Sequence, residues 1–249
     1  RRSVVGLFAL VTVAMAFVGA RGLKIDAGFE KQLPRNHPYI QTFLSDKARD
    51  FRGANRVVIA VMARDGNMFT PDFFRALTIA TDEVFFIEGI DRALVQSLYT
   101  PNVRYTEIVE DGIEAGNVVP AEFEPTPAAI AKVRENILKA GIVGRLVAND
   151  FSGAIVSALI ADVDPSGKPV NLIRLAHDLE AKVRQKIQGQ GIDVTVQTGS
   201  AGANVTGNVN VHMIGFAKVM GDIADGAGSV ALFAAITIVL TLLFVWTYC

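Results

Sequence analysis

Uncharged apolar runs stand at the two ends of this chain, and nearly every charge lies between Arg21 and Asp225. Residues 229–248 (SVALFAAITIVLTLLFVWTY) carry no charge over 20 positions, which matches the roughly 20 residues needed to cross a bilayer at about 1.5 Å rise each. This predicts a spanning helix. Thr237, Thr241 and Thr247 interrupt the run, but their hydroxyls can bond back to carbonyls of the same helix. Trp246 and Tyr248 fall where an aromatic belt meets the far interface. Residues 4–20 (VVGLFALVTVAMAFVGA) are also uncharged and follow Arg1 and Arg2, so they predict a first span with its basic start held in the cytoplasm. A cleaved signal peptide ending at Val18-Gly19-Ala20 fits the same pattern.

Between the ends, one pattern occurs twice. Residues 57–63 (VVIAVMA) form a β-rich run, Arg64-Asp65-Gly66-Asn67 a turn, and Thr70-Pro71-Asp72 a helix start with an N-cap and a first-turn proline. Phe74, Leu77, Thr81 and Val84 share one face of that helix, and residues 90–98 return as a strand. Later, residues 154–163 read as a strand and Asp164-Pro165-Ser166-Gly167 as a turn. Leu172, Leu175, Ala176, Leu179, Val183 and Ile187 then keep a helical period, before a returning strand at 209–214, with 192–196 also β-like. A helix precedes each unit: Ile40, Phe43, Leu44, Ala48 and Phe51 mark the first, and Ile130, Val133 and Ile137, opened by Thr126-Pro127, the second. Residues 99–125 read as a connecting hairpin and linker, and 199–208 as a glycine-rich loop without the lysine of a phosphate cradle. The expected fold is α+β: two ferredoxin-like (split β-α-β) subdomains, each with helices on one sheet face, flanked by two transmembrane helices. Internal duplication of this kind suits a transporter module.

Composition narrows the chemistry. The 249 residues are 51% hydrophobic and 20% charged, with 24 basic against 25 acidic side chains and a net charge of −1. No basic stripe exists to neutralise phosphates, so nucleic acid is excluded as an expected partner. Cys249 is the only cysteine, which removes internal disulfides and thiol metal clusters. His37, His177 and His212 lack metal-ligand spacing, and no metal site is expected. Asp162, Asp164 and Gly167 mimic the start of a calcium loop, but Ile173 stands where the bidentate glutamate belongs, so a strand-to-helix turn is expected. Ser152, Ser166 and Ser200 lack a nucleophile elbow. No catalytic residue, cofactor or enzyme activity is expected.

Two segments carry a family resemblance. Residues 23–43 (LKIDAGFEKQLPRNHPYIQTF), with Asp26, Leu33-Pro34 and His37-Pro38, resemble the segment after the first transmembrane helix of exporters of the resistance-nodulation-division (RND) superfamily, in particular the MMPL-like hydrophobe and amphiphile exporters. Residues 212–226 (HMIGFAKVMGDIADG) resemble that family's approach to its second helix. The resemblance implies a multi-pass protein of a bacterial inner membrane, driven by protons, with the domain between the helices in the periplasm. It divides the chain into helix 1 (1–22), porter subdomain 1 (23–100), connecting hairpin and linker (101–125), porter subdomain 2 (126–225) and a truncated helix 2 (226–249). Arg1 and Cys249 read as cuts from a longer chain. The implied partners are membrane lipid, a hydrophobic or amphiphilic small molecule, the rest of the same transporter and, in a homo-oligomer, further copies. The resemblance places the proton-relay carboxylates in a later helix of the family, in keeping with the lack of Asp, Glu, Lys, Arg or His in either apolar run.

Lys218, Asp222 and Asp225 stand just before the second span, with Lys218 and Asp222 one helical turn apart. As an exposed pair they stabilise a helix by a few tenths of a kcal/mol. The resemblance adds a second reading, that they transmit movement of the membrane helix to the porter domain. Met62, Met68, Phe73, Phe85 and Phe86 could line an apolar cleft between subdomains, but the same residues suit a core, and the substrate site stays unknown. The competing function is a membrane-anchored extracytoplasmic ligand-binding or sensor domain.

Overall fold

The computed structural model describes residues 2–22, 34, 36–44, 55–110, 112–164, 166–190 and 208–248. The expectations that fall on Asp26, Leu33, Ala48, Phe51, residues 192–196 and the glycine-rich stretch 199–207 lie outside these residues. Among the described residues the first helices are α1 (Arg2–Gly22) and α2 (Pro38–Leu44). The α/β region follows as β1 (Arg56–Ala63), α3 (Pro71–Phe86), β2 (Ile90–Gln96), β3 (Arg104–Val109), β4 (Gly112–Asn117), α4 (Pro127–Ala140), β5 (Gly153–Ile160), α5 (Leu172–Asp178), α6 (Gln185–Gly189) and β6 (Val209–Gly215). The chain closes on α7 (Phe216–Tyr248). A π-helical stretch, Leu179–Arg184, joins α5 to α6 without a break.

Local signals set the helix starts. Thr70 and Thr126 are extended, each accepts at 3.3 Å from the backbone N–H three residues on, and a proline follows each. Both caps therefore satisfy a donor that the first turn would leave open. Asn171 caps α5 in the same way, accepting from the N–H of Arg174 at 3.1 Å. The turn before α5 is held by Asp164, whose Oδ1 accepts from the backbone N–H groups of Ser166 and Lys168 and from the Ser166 hydroxyl at 2.7–2.9 Å. The aspartate is used up as a turn former.

The two expected subdomains share one sheet. Its four strands run in the order β2-β5-β1-β6, all antiparallel, so β5 of the second unit lies between β1 and β2 of the first. The unit β1-α3-β2 is split by a strand of the unit β5-α5-β6, which is the split β-α-β arrangement built once from both units. The physical reason lies in β1, which is apolar from Val57 to Ala63 and needs backbone partners on both sides. Two separate two-stranded sheets would be marginal in water and leave four open edges. In the merged sheet Val58 sits opposite both Ser157 and Ile214. Val57, Ile59 and Val61 of β1, Val209 and Val211 of β6, and Val156 of β5 form one buried face, which α3 and the α5–α6 helix cover with Phe73, Leu77, Leu175, Leu179 and Val183. Phe73 and Met68 are core residues, not cleft linings.

Residues 99–125 do contain the expected hairpin, β3 with β4, in register from Arg104↔Asn117 to Val109↔Gly112. It enters the chain after β2 and returns before β5, at the end of the sheet opposite Gly215. Lys139 of α4 fixes it through Glu107 at 2.5 Å.

Candidate functional site at the base of the long helix

The strand β6 passes into α7 with no intervening loop, and Gly215 makes this sharp change possible. Its φ is 148°, and a Cβ there would lie 2.6 Å from the carbonyl oxygen of Arg56. Only glycine brings the backbone that close to β1. From this junction α7 runs 33 residues, about 50 Å at 1.5 Å per residue, against a hydrocarbon thickness of about 30 Å.

Among the described residues, α7 is the one helix long and apolar enough to cross a membrane, and its most apolar window has none of its residues buried in the protein. A helix apolar all round and bare of protein contact calls for lipid. Thr237, Thr241 and Thr247 bond back to carbonyls three or four residues earlier at 2.8–2.9 Å, so no hydroxyl is left open. The first run also forms a helix, α1, but its apolar stretch Gly6–Gly19 is shorter than a full span.

Before the apolar stretch, α7 docks on α5. Ala217, Met220 and Gly221 are buried in the contact, and the two helices run antiparallel. Lys218 lies beside Glu180, Gly221 against Ala176, and Asp225 beside His177. The crossing is close enough that a Cβ on Gly221 would stand 2.4 Å from the Ala176 Cβ.

All three residues singled out from the sequence lie in this contact. The Lys218 ammonium donates to Asp222 and, at 2.9 Å, to Glu180 Oε1. Glu180 accepts from Arg184 Nε at 2.5 Å, and Arg184 Nη1 donates to the Val211 carbonyl of β6 at 2.8 Å. A polar chain therefore runs from the base of α7 through the π-helical stretch to the strand that feeds α7. Asp225 sits apart from it, 2.9 Å from His177 Nε2, in a pair more than half exposed on both sides. Burial pushes the Glu180 carboxyl up, but the hydrogen bonds from Arg184 and Lys218 and their charges outweigh it and hold the group below the ordinary glutamate value. The junction thus keeps Glu180 ionised.

Sequence reasoning missed Glu180, Arg184, His177 and Gly221. Glu180 and Arg184 had one legible signal, their i, i+4 spacing, which does not name a partner on another helix. The remaining histidines do other work: His37 Nδ1 accepts from the Tyr39 N–H at 3.2 Å, and His212 lies in β6 opposite Ala60. Met62 lines a shallow cleft with Arg145, Leu146 and Ile155 at the far end of the sheet.

No family model matches the chain. Over 202 residues it is 23% identical to a protein of Methanocaldococcus jannaschii named "Putative membrane protein MJ1562". That alignment takes in 78% of this chain and 46% of the relative, so the chain spans a little under half the relative's length. The similarity to a protein named for the membrane and the bare apolar surface of α7 point the same way, to association with a membrane.

Proposed function

We propose that this chain belongs to a proton-driven exporter of the RND, MMPL-like type, with α1 and α7 as its first two spans and the α/β domain outside the cytoplasm. The domain forms part of the path of a hydrophobic or amphiphilic substrate and performs no catalysis. Proton coupling belongs to other spans, since residues 4–20 and 229–248 hold no Asp, Glu, Lys, Arg or His. One observation carries the reading: α7 continues as a single helix from its lipid-suited stretch into the contact with α5, where Lys218, Glu180 and Arg184 link it to the sheet. A rigid helix docked this way moves the domain whenever the span moves. The resemblance of residues 23–43 and 212–226 to that family supplies the transport chemistry.

The test uses the full-length protein in cells, with Cys249 and every other native cysteine replaced by serine and a single cysteine introduced at the exposed Glu122. A membrane-impermeant maleimide should label Glu122→Cys from outside, and cells making the protein should retain less of an amphiphilic dye until a protonophore is added. Labelling from the cytoplasmic side alone, or dye retention indifferent to the protonophore, overturns the proposal.

A further inference from the structure

The pairings at the base of α7 fix a depth as well as a contact. Lys218 reaches Glu180 and Gly221 lies against Ala176, so the helices run antiparallel, and four residues beyond Gly221 bring Asp225 level with Leu172 at the start of α5. The uncharged stretch begins at Ser229, four residues on, or about 6 Å along the axis. The headgroup layer on each side of a bilayer is about 5–8 Å thick. Whatever surrounds the start of α5 therefore sits at the depth of lipid headgroups.

Register identifies what is there. Arg56 pairs with Leu159, Val57 with Gly215 and Ile90 with Ile160, so the ends of β5 and β6 share one end of the sheet with the starts of β1 and β2. The C-terminus of α3 and the turn before α5 must lie at that end too. The Ala161 N–H donates to the Gly89 carbonyl at 2.8 Å, and Arg174 of α5 reaches Glu88 at 3.6 Å. This rim displays apolar side chains that the core does not claim: Phe86 is 66% exposed and Val163 52%. Arg92 lies over the rings of both Phe85 and Phe86, at 5.8 and 5.6 Å from their centroids. An aromatic with a guanidinium on its face, beside an apolar residue at this depth, suits the bilayer interface, where amphipathic groups keep one part dry and one part wet.

We infer that the rim formed by Phe86, Arg92 and Val163 is a lipid-contact surface, on which the α/β domain rests against the headgroup layer of the leaflet that α7 enters. The occupant is a zwitterionic bilayer interface and not an anionic lipid. The cations at this end of the sheet, Arg56, Arg92, Lys168 and Arg174, are equalled in number by Glu88, Asp91, Asp162 and Asp164, so no polybasic patch is present to recruit negative headgroups. The inference rests on the reading of α7 as a span, and it goes further, since a spanning α7 does not require the domain to touch lipid.

Phe86→Cys and Val163→Cys, each in the full-length protein with all native cysteines replaced by serine and labelled with an environment-sensitive fluorophore, test it in phosphatidylcholine vesicles. A share of the lipid carries a nitroxide on its headgroup. Both rim probes should lose most of their fluorescence, whereas a probe at Glu122→Cys should keep it, and added phosphatidylglycerol should change neither result. Rim probes as bright as the Glu122 probe overturn the inference, and so does quenching that demands phosphatidylglycerol. A probe at Phe233→Cys with acyl-chain nitroxides separates the failures. Quenching there with a bright rim leaves α7 a span and removes only the rim contact, while no quenching at either place removes both.

Discussion

Gly221 of α7 and Ala176 of α5 meet so closely that a single added carbon would stand 2.4 Å from the Ala176 Cβ. Neither side chain can rotate away from such a contact, so any substitution must part the two backbones. Gly221→Ala gains up to about 1 kcal/mol in intrinsic helix propensity, but overpacking a tight contact costs about 1–3 kcal/mol. The steric cost wins, and thermal unfolding in detergent should show a lower midpoint for Gly221→Ala. Adding Ala176→Gly reopens the space, and the double variant should recover most of the packing loss while carrying the propensity cost of the new glycine. Equal effects of Gly221→Ala with and without Ala176→Gly would show that the contact does not limit stability.

Gly215 makes a sharper case, since both its conformation and its surroundings demand glycine. Its φ of 148° is one that L side chains rarely adopt, and the atom a Cβ would strike is the Arg56 carbonyl oxygen at 2.6 Å, a backbone atom that is not free to turn. Gly215→Ala should destabilise by about 2 kcal/mol or more, from strain and overpacking together. Gly66, with φ 78° and open space around its missing Cβ, is the control: Gly66→Ala carries only the conformational cost, of about 1–2 kcal/mol. Urea unfolding followed by circular dichroism orders the two, and a Gly66→Ala loss as large as that of Gly215→Ala would refute the close-approach argument.

The difference between what the chain's pattern announces and what it conceals is one of range. Thr70, Thr126 and Asp164 act within four residues of themselves, so these caps and this turn could be read where they stand. The apolar stretch after Ser229 was legible for the same reason, as a span is defined by its own composition. Sheet partnership is not local. The unbroken apolar run of β1 marks it as a buried strand, yet it says nothing of whether β2 or β5 lies alongside, and two units with similar patterns were read as two sheets where their strands form one. Lys218 and Asp222 were legible as a helical pair, while Glu180, the group that ties Lys218 to the domain, lies 38 positions away. The close crossing at Gly221 left only a glycine among other small residues as its trace.

Acid should loosen the junction through Glu180. Its carboxyl is held below the ordinary glutamate value in the folded protein, so the stabilisation is present above the unfolded value of about 4.3 and is lost as pH falls through the lower folded value. Glu180→Gln removes the titrating group and leaves Arg184 and Lys218 without their shared carboxylate. The variant should be less stable at neutral pH, and the gap to the wild type should close as the pH drops below about 4.3. Unfolding midpoints across pH 3–7 provide the check. A gap that stays constant, or widens in acid, contradicts the ionised state assigned to Glu180.

The final prediction separates holding the helix from coupling it. Asp225 and His177 form a pair more than half exposed, and Asp222 is 59% exposed beside Lys218. Exposed ion pairs are worth about 0–1 kcal/mol, so Asp222→Asn with Asp225→Asn should leave the unfolding midpoint of the full-length protein close to that of the wild type. Lys218 is different: its side chain is 17% exposed and it bridges α7 to Glu180 in the π-helical stretch. Lys218→Met keeps the apolar stem and deletes only the charge, so packing against α5 survives while the link to Glu180, and through Arg184 to β6, is cut. If movement of the span reaches the sheet along that link, Lys218→Met should slow export of an amphiphilic dye by more than its small stability loss explains, and the paired Asp variant should slow it less. Dye efflux measured at matched expression decides the matter. Export unchanged in Lys218→Met would leave the junction a structural anchor, with the domain driven through the Gly221–Ala176 contact alone.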